Sequence, residues 1–141
     1  MIKILITGAS GFVGQTLIQK LHHNRNLELI VLSRKAVKTL HNDIHQLVGN
    51  DIFSMQWSKD IDVVIHLAGR AHILNEQTTD PLSEFRKVNV EGTLQLARQA
   101  LDKKVKRFIF MSSIGVNGAV TLQQPFTEDA APPVSYTHLT L

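Results

Sequence analysis

Three glycines, each separated from the next by two residues, lie in the stretch TGASGFVG at residues 7–14 and constrain this chain more than any other feature. The stretch follows a compact apolar run, IKILI at residues 2–6, and opens a segment with apolar side chains at helical spacing, residues 12–23. A strand, glycine turn and helix in this order point several backbone N–H groups at one spot, where the helix dipole adds partial positive charge. The stretch therefore predicts a site for a pyrophosphate group.

The three glycines have different expected roles in that turn. Gly8 permits the tight turn itself, Gly11 allows the close approach of a phosphate, and Gly14 allows the helix to pack against the strand. A turn that uses glycine only for its positive φ is the alternative, since such motifs also occur without a ligand. The position of the motif, between a buried strand and an amphipathic helix, favours the binding site.

The rest of the chain repeats the alternation of strands and helices. A helix is expected to begin after Asp80, a suitable N-cap, with Pro81 in its first position. Apolar runs predict the strands, at residues 2–6, 28–33, 44–48, 62–69 and 107–113. Such alternation implies right-handed crossovers, so we predict an α/β fold with a doubly wound parallel sheet, a five-stranded Rossmann fold of order 3-2-1-4-5.

Charge and composition exclude several classes of partner. The net charge of +3 and the pI near 9.4 raise the question of nucleic acid. The dense basic cluster lies where the predicted helix ends, however, at Lys103, Lys104, Lys106 and Arg107, where cations oppose the negative end of the helix dipole. Cysteine is absent, no run approaches a membrane span, and the histidines show no metal-ligand spacing. We therefore expect a cytoplasmic protein that binds no nucleic acid, membrane or metal ion.

Four segments together resemble one superfamily. They are the turn with its G-x-x-G-x-x-G spacing, VIHLAGRAH at 64–72, FRKVNVEGTLQLARQA at 85–100 and RFIFMSSIGVNG at 107–118. The combination resembles the extended branch of the short-chain dehydrogenase/reductase superfamily, the NAD-dependent epimerases and dehydratases of nucleotide sugars, with UDP-glucose and UDP-N-acetylglucosamine 4-epimerases among them. The resemblance implies an NAD(P)-binding Rossmann domain over residues 1–133.

This resemblance also assigns roles to individual residues. Without the resemblance, a role that binds no ligand is favoured for four of these residues: Asp51 as a turn residue, Asn89 as a solvated helix position, and Leu67 and Ala68 as plain core. In the superfamily the matching positions hold the cofactor: the pyrophosphate at Gly8, Gly11, Phe12, Val13 and Gly14, the adenine at Asp51 and Ile52, the ribose at Leu67, Ala68 and Gly69, and the nicotinamide side at Asn89.

The end of the second strand bears on the choice between NAD and NADP. A carboxylate at this place accepts hydrogen bonds from the ribose 2′-OH and repels a 2′-phosphate. This chain has Ser33 and Arg34 instead, and a guanidinium is well suited to phosphate. NADP, or the use of both cofactors, is therefore favoured over NAD alone, with a plain surface arginine as the alternative.

The C-terminal residues do not match the catalytic pattern of the superfamily. There, a serine after strand five acts with a later Tyr-x-x-x-Lys pair, and the resemblance assigns Ser113 to the serine. Tyr136 does not match the tyrosine, because no glycine follows it and Thr140 stands where the lysine is required. Residues 134–141 also resemble a translated sequencing adapter, so we expect a non-native tail, a domain incomplete at its C-terminus and a chain inactive by itself.

The resemblance implies that the full-length protein is an NAD(P)-dependent nucleotide-sugar 4-epimerase acting on a UDP-linked sugar. In that reaction C4 is oxidised transiently and the same hydride returns to the other face of the sugar. An NADPH-dependent reductase of a UDP-linked 4-keto sugar is the nearest alternative, and a non-catalytic dinucleotide-binding module is the alternative from a different class. A homodimer of the full-length protein is also left open.

Overall fold

A parallel sheet forms the centre of the molecule. The computed structural model describes residues 1–58, 60–70, 80–117, 120–121 and 124–130. Its strands are β1 (Ile2–Thr7), β2 (Leu27–Ser33), β3 (His45–Val48), β4 (Val63–His66) and β5 (Arg107–Phe110). They pair in parallel in the order β3-β2-β1-β4-β5, which confirms the predicted order and the doubly wound Rossmann topology.

The helical elements are α1 (Phe12–Leu21), α2 (Pro81–Arg86), a π-helical segment (Lys87–Gly92) and α3 (Thr93–Asp102). Asp80 caps α2 as predicted, because its Oδ1 accepts a hydrogen bond of 3.1 Å from the Ser83 N–H. The last three elements follow one another without a break. The predicted long helix is therefore present, but its middle is π-helical, which apolar periodicity alone does not reveal.

Two apolar clusters hold helices on opposite faces of the sheet. Successive residues of β1 point to opposite faces, so Ile4 and Ile6 pack with Ile18 of α1, whereas Leu5 packs with Leu96 of α3. Both Leu5 and Ile6 are fully buried. A strand covered on both faces needs apolar residues without alternation, which is why β1 is a continuous apolar run.

Strands β4 and β5 end three residues earlier than the sequence predicts, at His66 and Phe110. The chain turns away after Thr7, the partner of His66, so the residues beyond β4 have no strand beside them on that side. β5 stays paired with β4 through Phe110, and the Met111 N–H donates one further bond of 3.1 Å to the His66 carbonyl. The predicted final residues of both strands are therefore loops at the carboxyl edge, the edge of the sheet where the strands end.

Candidate functional site

The glycine turn lies between β1 and α1, at the carboxyl edge. Gly8 has a φ of +76°, a conformation that residues with a side chain rarely adopt. A Cβ at Gly8 would also lie 2.6 Å from the backbone of Leu67 and of Ala68, in the segment that follows β4. Position 8 therefore requires glycine for two independent reasons, the backbone conformation and the close approach of a second chain segment.

Gly14 and Gly11 differ in what surrounds them. A Cβ at Gly14 would collide with the Gly8 carbonyl oxygen and lie 2.9 Å from the Ala9 Cα, so Gly14 allows α1 to pack onto the turn. Gly11 is the N-cap of α1, and among the described residues a Cβ there would meet only the Gly8 carbonyl oxygen, at 3.3 Å. Within this part of the chain, the space over Gly11 is otherwise open.

The start of α1 is suited to an anion. No side chain of the described residues caps this helix, and its first turn contains no acidic residue. The first N–H groups of such a helix point out of its end, where the dipole favours negative charge. The side chains of Phe12 and Val13 are 90% and 48% exposed and leave the helix end uncovered. Open space over Gly11 together with this set of donors fits the pyrophosphate of a dinucleotide.

A reciprocal pair of hydrogen bonds joins the segment after β4 to the π-helical segment. The Asn89 Oδ1 accepts from the Arg70 N–H at 2.7 Å, and the Asn89 Nδ2 donates to the Arg70 carbonyl at 2.9 Å. Asn89 is therefore not a solvated helix position. A Cβ at Gly69 would lie 3.5 Å from the Asn89 Oδ1. The structure thus brings Asn89, residues 67–69 and the glycine turn together at the carboxyl edge.

Ser33 and Arg34 lie at the end of β2, on the same edge of the sheet. The Ser33 Oγ donates a hydrogen bond of 2.9 Å to the Lys35 carbonyl, and the Arg34 side chain is exposed. No acidic residue follows in residues 34–38. The end of β2 is therefore basic, as the sequence indicates.

Asp51 and Ile52 follow β3 in a tight turn. The Asp51 Oδ1 accepts a hydrogen bond of 3.1 Å from the Phe53 N–H, and a hydrogen bond from Ser54 lowers the pKa of Asp51 below its ordinary value. Ile52 is 6% exposed and packs in the apolar cluster under α3. Asp51 thus has a turn-capping contact, which leaves its predicted place beside the adenine untested.

Ser113 lies in the loop after β5, three residues beyond Phe110, and is exposed. Its carbonyl accepts a bond of 3.1 Å from the Val116 N–H, which fixes the start of the short turn Ile114–Asn117. Tyr136 and the rest of the predicted tail, residues 134–141, lie outside the described residues.

His66 has contacts that the sequence analysis does not predict. The ring is 1% exposed, with Nδ1 2.7 Å from the Thr7 Oγ1 and Nε2 2.9 Å from the Thr93 Oγ1. Burial lowers the pKa of His66 to about 4, so the ring is neutral at pH 7. The signal in the sequence is a histidine that interrupts the apolar run VVIHLA in a strand covered on both faces.

The predicted basic cluster makes local contacts at the opposite edge of the sheet. The Lys106 Nζ lies 2.7 Å from the Asp62 Oδ1, and the Lys103 Nζ lies 5.1 Å from the centre of the Trp57 ring. Within the described ranges, no group of three or more His, Asp or Glu side chains has the arrangement of a metal site. The helices of this same part are each too short or too polar to cross a membrane.

The chain belongs to the NAD dependent epimerase/dehydratase family, whose model matches residues 4–138. A UDP-glucose 4-epimerase of Vibrio cholerae is 42% identical over 138 residues, which cover 92% of this chain and 41% of that protein. A human dTDP-D-glucose 4,6-dehydratase is 27% identical over 143 residues, which cover 91% of this chain and 40% of that protein. The chain thus spans about two-fifths of the length of these relatives.

Solved structures share the fold. The UDP-glucuronic acid 4-epimerase of Bacillus cereus, in complex with UDP-glucuronic acid and NAD, matches with a TM-score of 0.79 and 27% identity over 97% of this chain and 48% of that one. The UDP-glucose 4-epimerase of Thermotoga maritima, with UDP-glucose, matches with a TM-score of 0.75 and 25% identity over 94% of this chain and 45% of that one. These likenesses agree with the predicted superfamily and its Rossmann architecture.

Proposed function

We propose that this chain is the dinucleotide-binding part of an NAD(P)-dependent nucleotide-sugar 4-epimerase. The observation that carries the proposal is the glycine turn. Gly8 and Gly14 are closed in by backbone, whereas the space over Gly11 is open, as far as the described residues extend, and lies at a helix end that none of their side chains caps. This difference is what a pyrophosphate lying over Gly11 requires.

The remaining residues are assigned by their place on the carboxyl edge. A bound nicotinamide would supply the reversible hydride transfer at the sugar C4. Asn89 holds the backbone of Arg70 in place through its two hydrogen bonds. We assign the others as follows: residues 67–69 beside the ribose, Asp51 and Ile52 beside the adenine, Asn89 toward the nicotinamide, and Ser113 beside the reacting sugar as the catalytic serine.

Gly11→Val tests the site. A valine at Gly11 extends into open space, so the chain should fold, but the side chain occupies the volume assigned to the pyrophosphate. We expect calorimetry to detect no binding of NAD(H) or NADP(H). Thr16→Val is the matched control, because it introduces the same side chain at an exposed position of the same helix and should leave affinity unchanged. Unchanged affinity in Gly11→Val would remove the assignment.

For the cofactor, we propose NAD or NADP, with NADP favoured by Ser33 and Arg34. Arg34→Ala should weaken NADP(H) binding by about 1.5–3 kcal/mol, the value of a charge-assisted hydrogen bond, and leave NAD(H) binding unchanged. Arg34→Lys keeps the charge but loses the planar guanidinium, so its NADP(H) affinity should lie between those of the unsubstituted chain and of Arg34→Ala. Equal losses for both cofactors would show that Arg34 does not contact the phosphate.

The substrate we propose is a UDP-linked sugar. A reductase of a UDP-linked 4-keto sugar is the second candidate, because the basic end of β2 favours NADPH. The two differ in their redox balance. An epimerase converts its substrate with no net change in reduced nicotinamide, whereas a reductase oxidises one NADPH for each sugar, which absorbance measures. Binding without either turnover in the full-length protein would favour the non-catalytic module.

We further propose a dinucleotide-binding domain over residues 1–133, a non-functional tail at 134–141, and a cytoplasmic protein that acts as a homodimer at full length. Thr140 stands where the superfamily has lysine, so the chain alone should not turn over UDP-sugars. The family match extends to residue 138. Comparing the chain with one that ends at Pro133 tests whether the tail has a function. Equal solubility and cofactor affinity of the two would support a non-functional tail. A measurable turnover of the chain that Tyr136→Phe abolishes would contradict it.

A further inference from the structure

We propose that His66 is a positioning residue for the dinucleotide site, because through Thr7 it fixes the backbone of residues 67–69 against Gly8. The inference rests on the proposed function for the identity of the ligand. His66 is fully buried and would not touch the dinucleotide itself. Its effect is on the geometry of the turn that does.

A continuous chain of hydrogen bonds carries the effect. The Thr7 Oγ1 accepts a bond of 3.2 Å from the Ala68 N–H and lies 2.7 Å from the His66 Nδ1. Thr7 is the last residue of β1 and precedes Gly8, whose Cα has the Leu67 and Ala68 backbone packed against it. The orientation of one buried hydroxyl thus sets the distance between the two chain segments that line the site.

The hydrogen bonds specify one tautomer of the ring. The Thr7 hydroxyl oxygen already accepts the Ala68 N–H, so its own proton needs an acceptor, and the His66 Nδ1 is the acceptor in reach. Nδ1 therefore has no proton, and Nε2 carries one and donates to the Thr93 Oγ1 at 2.9 Å. The opposite tautomer would leave the buried Thr7 proton without an acceptor.

The surroundings of the ring hold it neutral. Among the described residues, the groups that contact the ring are two threonine hydroxyls and the rings of Phe53, Phe108 and Phe110, at centroid distances of 6.0, 6.2 and 5.7 Å. None of these carries a charge, and burial lowers the pKa of His66 to about 4. A neutral ring can accept at one nitrogen and donate at the other, which an imidazolium cannot do.

Apolar packing alone would not need this residue. Burying two polar nitrogens has a desolvation cost that a valine or isoleucine, as elsewhere in β4, would avoid. The ring also joins three elements at one point, the ends of β1 and β4 and the start of α3. This desolvation cost is better explained if His66 orients the Thr7 hydroxyl toward residues 67–69 than if it serves apolar packing alone.

Matched substitutions at Thr7 test the inference on the 141-residue chain. Thr7→Val keeps the shape and removes the hydroxyl, whereas Thr7→Ser keeps the hydroxyl. We expect Thr7→Val and His66→Phe to weaken NAD(H) and NADP(H) binding in calorimetry by about tenfold. Thr7→Ser should bind as the unsubstituted chain does. His66→Asn, whose amide oxygen can take the place of Nδ1, should retain more affinity than His66→Gln, which can replace only Nε2.

Ile61→Ala separates positioning from general destabilisation. Ile61 is a buried core residue at the opposite end of β4 and lies outside the proposed site. It should lower the midpoint of thermal unfolding without changing dinucleotide affinity at temperatures where the chain is folded. If Ile61→Ala weakened binding as much as His66→Phe does, a merely structural role would explain both, and the inference would be overturned.

Two NMR measurements test the inference without any ligand. The ¹⁵N spectrum of the His66 ring should show Nε2 protonated and Nδ1 bare, and the Ala68 amide should exchange faster in His66→Phe and Thr7→Val but not in Ile61→Ala. Unchanged exchange and affinity in His66→Phe would overturn the inference. If the unsubstituted chain binds neither dinucleotide, the proposed function fails, whereas the Ala68 exchange rates still decide whether His66 fixes the turn.

Discussion

The two edges of the sheet hold their polar groups in opposite ways. At the amino edge, where the strands begin, the contacts include ion pairs open to water on at least one side: Lys3 pairs with Asp60, whose side chain is 55% exposed, and Lys106, whose side chain is 80% exposed, pairs with Asp62. At the carboxyl edge the contacts are hydrogen bonds between neutral groups, with His66 and Thr7 fully buried. Both edges are polar, but among the described residues only the carboxyl edge has fully buried polar side chains that bond to one another without a charge.

This difference separates polar groups that can shape a site from those that keep a surface solvated. Exposed ion pairs are screened by solvent, and forming them costs side-chain entropy. They therefore contribute little to the stability of the fold, and their substitution is tolerated. Buried neutral hydrogen bonds have no water to replace a lost partner, so a displaced group has a high cost. We therefore expect substitutions at the carboxyl edge to change stability and binding strongly, and those at the amino edge to change neither.

The largest expected effect is that of Gly8→Ala. The new Cβ would lie 2.6 Å from the backbone of Leu67 and of Ala68, and the backbone would have to keep a φ of +76°. We expect a loss of about 3 kcal/mol or more in the free energy of unfolding, measured by urea denaturation, or a chain that does not fold.

Gly11→Ala is the control for that substitution. Its Cβ would meet only the Gly8 carbonyl oxygen, at 3.3 Å, and alanine is a somewhat poorer N-cap than glycine. We expect a loss of about 1 kcal/mol or less. Similar losses at both positions would show that the turn is uniformly packed, which would contradict the distinction between a closed Gly8 and an open Gly11.

The second expected effect is a pH dependence that comes from His66. Its pKa is about 4 in the folded chain and 6.5 ordinarily, so the unfolded chain binds more protons between these values. Stability therefore falls as the pH is lowered from 6.5 to about 4, by at most about 3 kcal/mol. Asp51, Asp60 and Asp62 have lowered pKa values, so their contributions begin to fall as the pH approaches 3.8 and are lost mainly below it.

The variant His66→Phe should remove this pH dependence, because the unfolded chain then has no proton to gain at position 66. His45→Gln, at an exposed histidine of β3, should leave it in place. The measurement is the free energy of unfolding at several pH values between 7 and 4. A slope that persists in His66→Phe would assign the dependence to another group.

The fold was predictable from the sequence because its signals are local. The glycine turn, the apolar runs and the Asp80-Pro81 helix start each lie within a few residues, and right-handed crossovers then leave few ways to order the strands. The strand ends were predicted less well. They depend on where a neighbour stops, as β4 does when β1 turns away after Thr7.

The candidate site shows the same limit more strongly. Its glycines are visible in the sequence because each has a backbone requirement of its own. The hydrogen bonds that support them join residues far apart, 59 residues between Thr7 and His66 and 27 between His66 and Thr93. The first pair depends on the register between β1 and β4. The second depends on which way Thr93 faces after the π-helical segment. Neither property can be recognised from a local sequence pattern.

The smallest expected effect is at the amino edge, in Lys106→Gln. The substitution removes the ion pair with Asp62, but the Lys106 side chain is 80% exposed, so little buried contact is lost with it. We expect the midpoint of thermal unfolding to change by less than about 4 °C, less still at high salt, and dinucleotide affinity to stay the same. Lys3→Gln should behave alike, since its partners Asp60 and Glu28 are also exposed. A loss of dinucleotide affinity in either variant, comparable to that of Thr7→Val, would mean that the two edges are coupled through β1 and β4. The proposed contrast between the carboxyl edge and the amino edge would then be wrong.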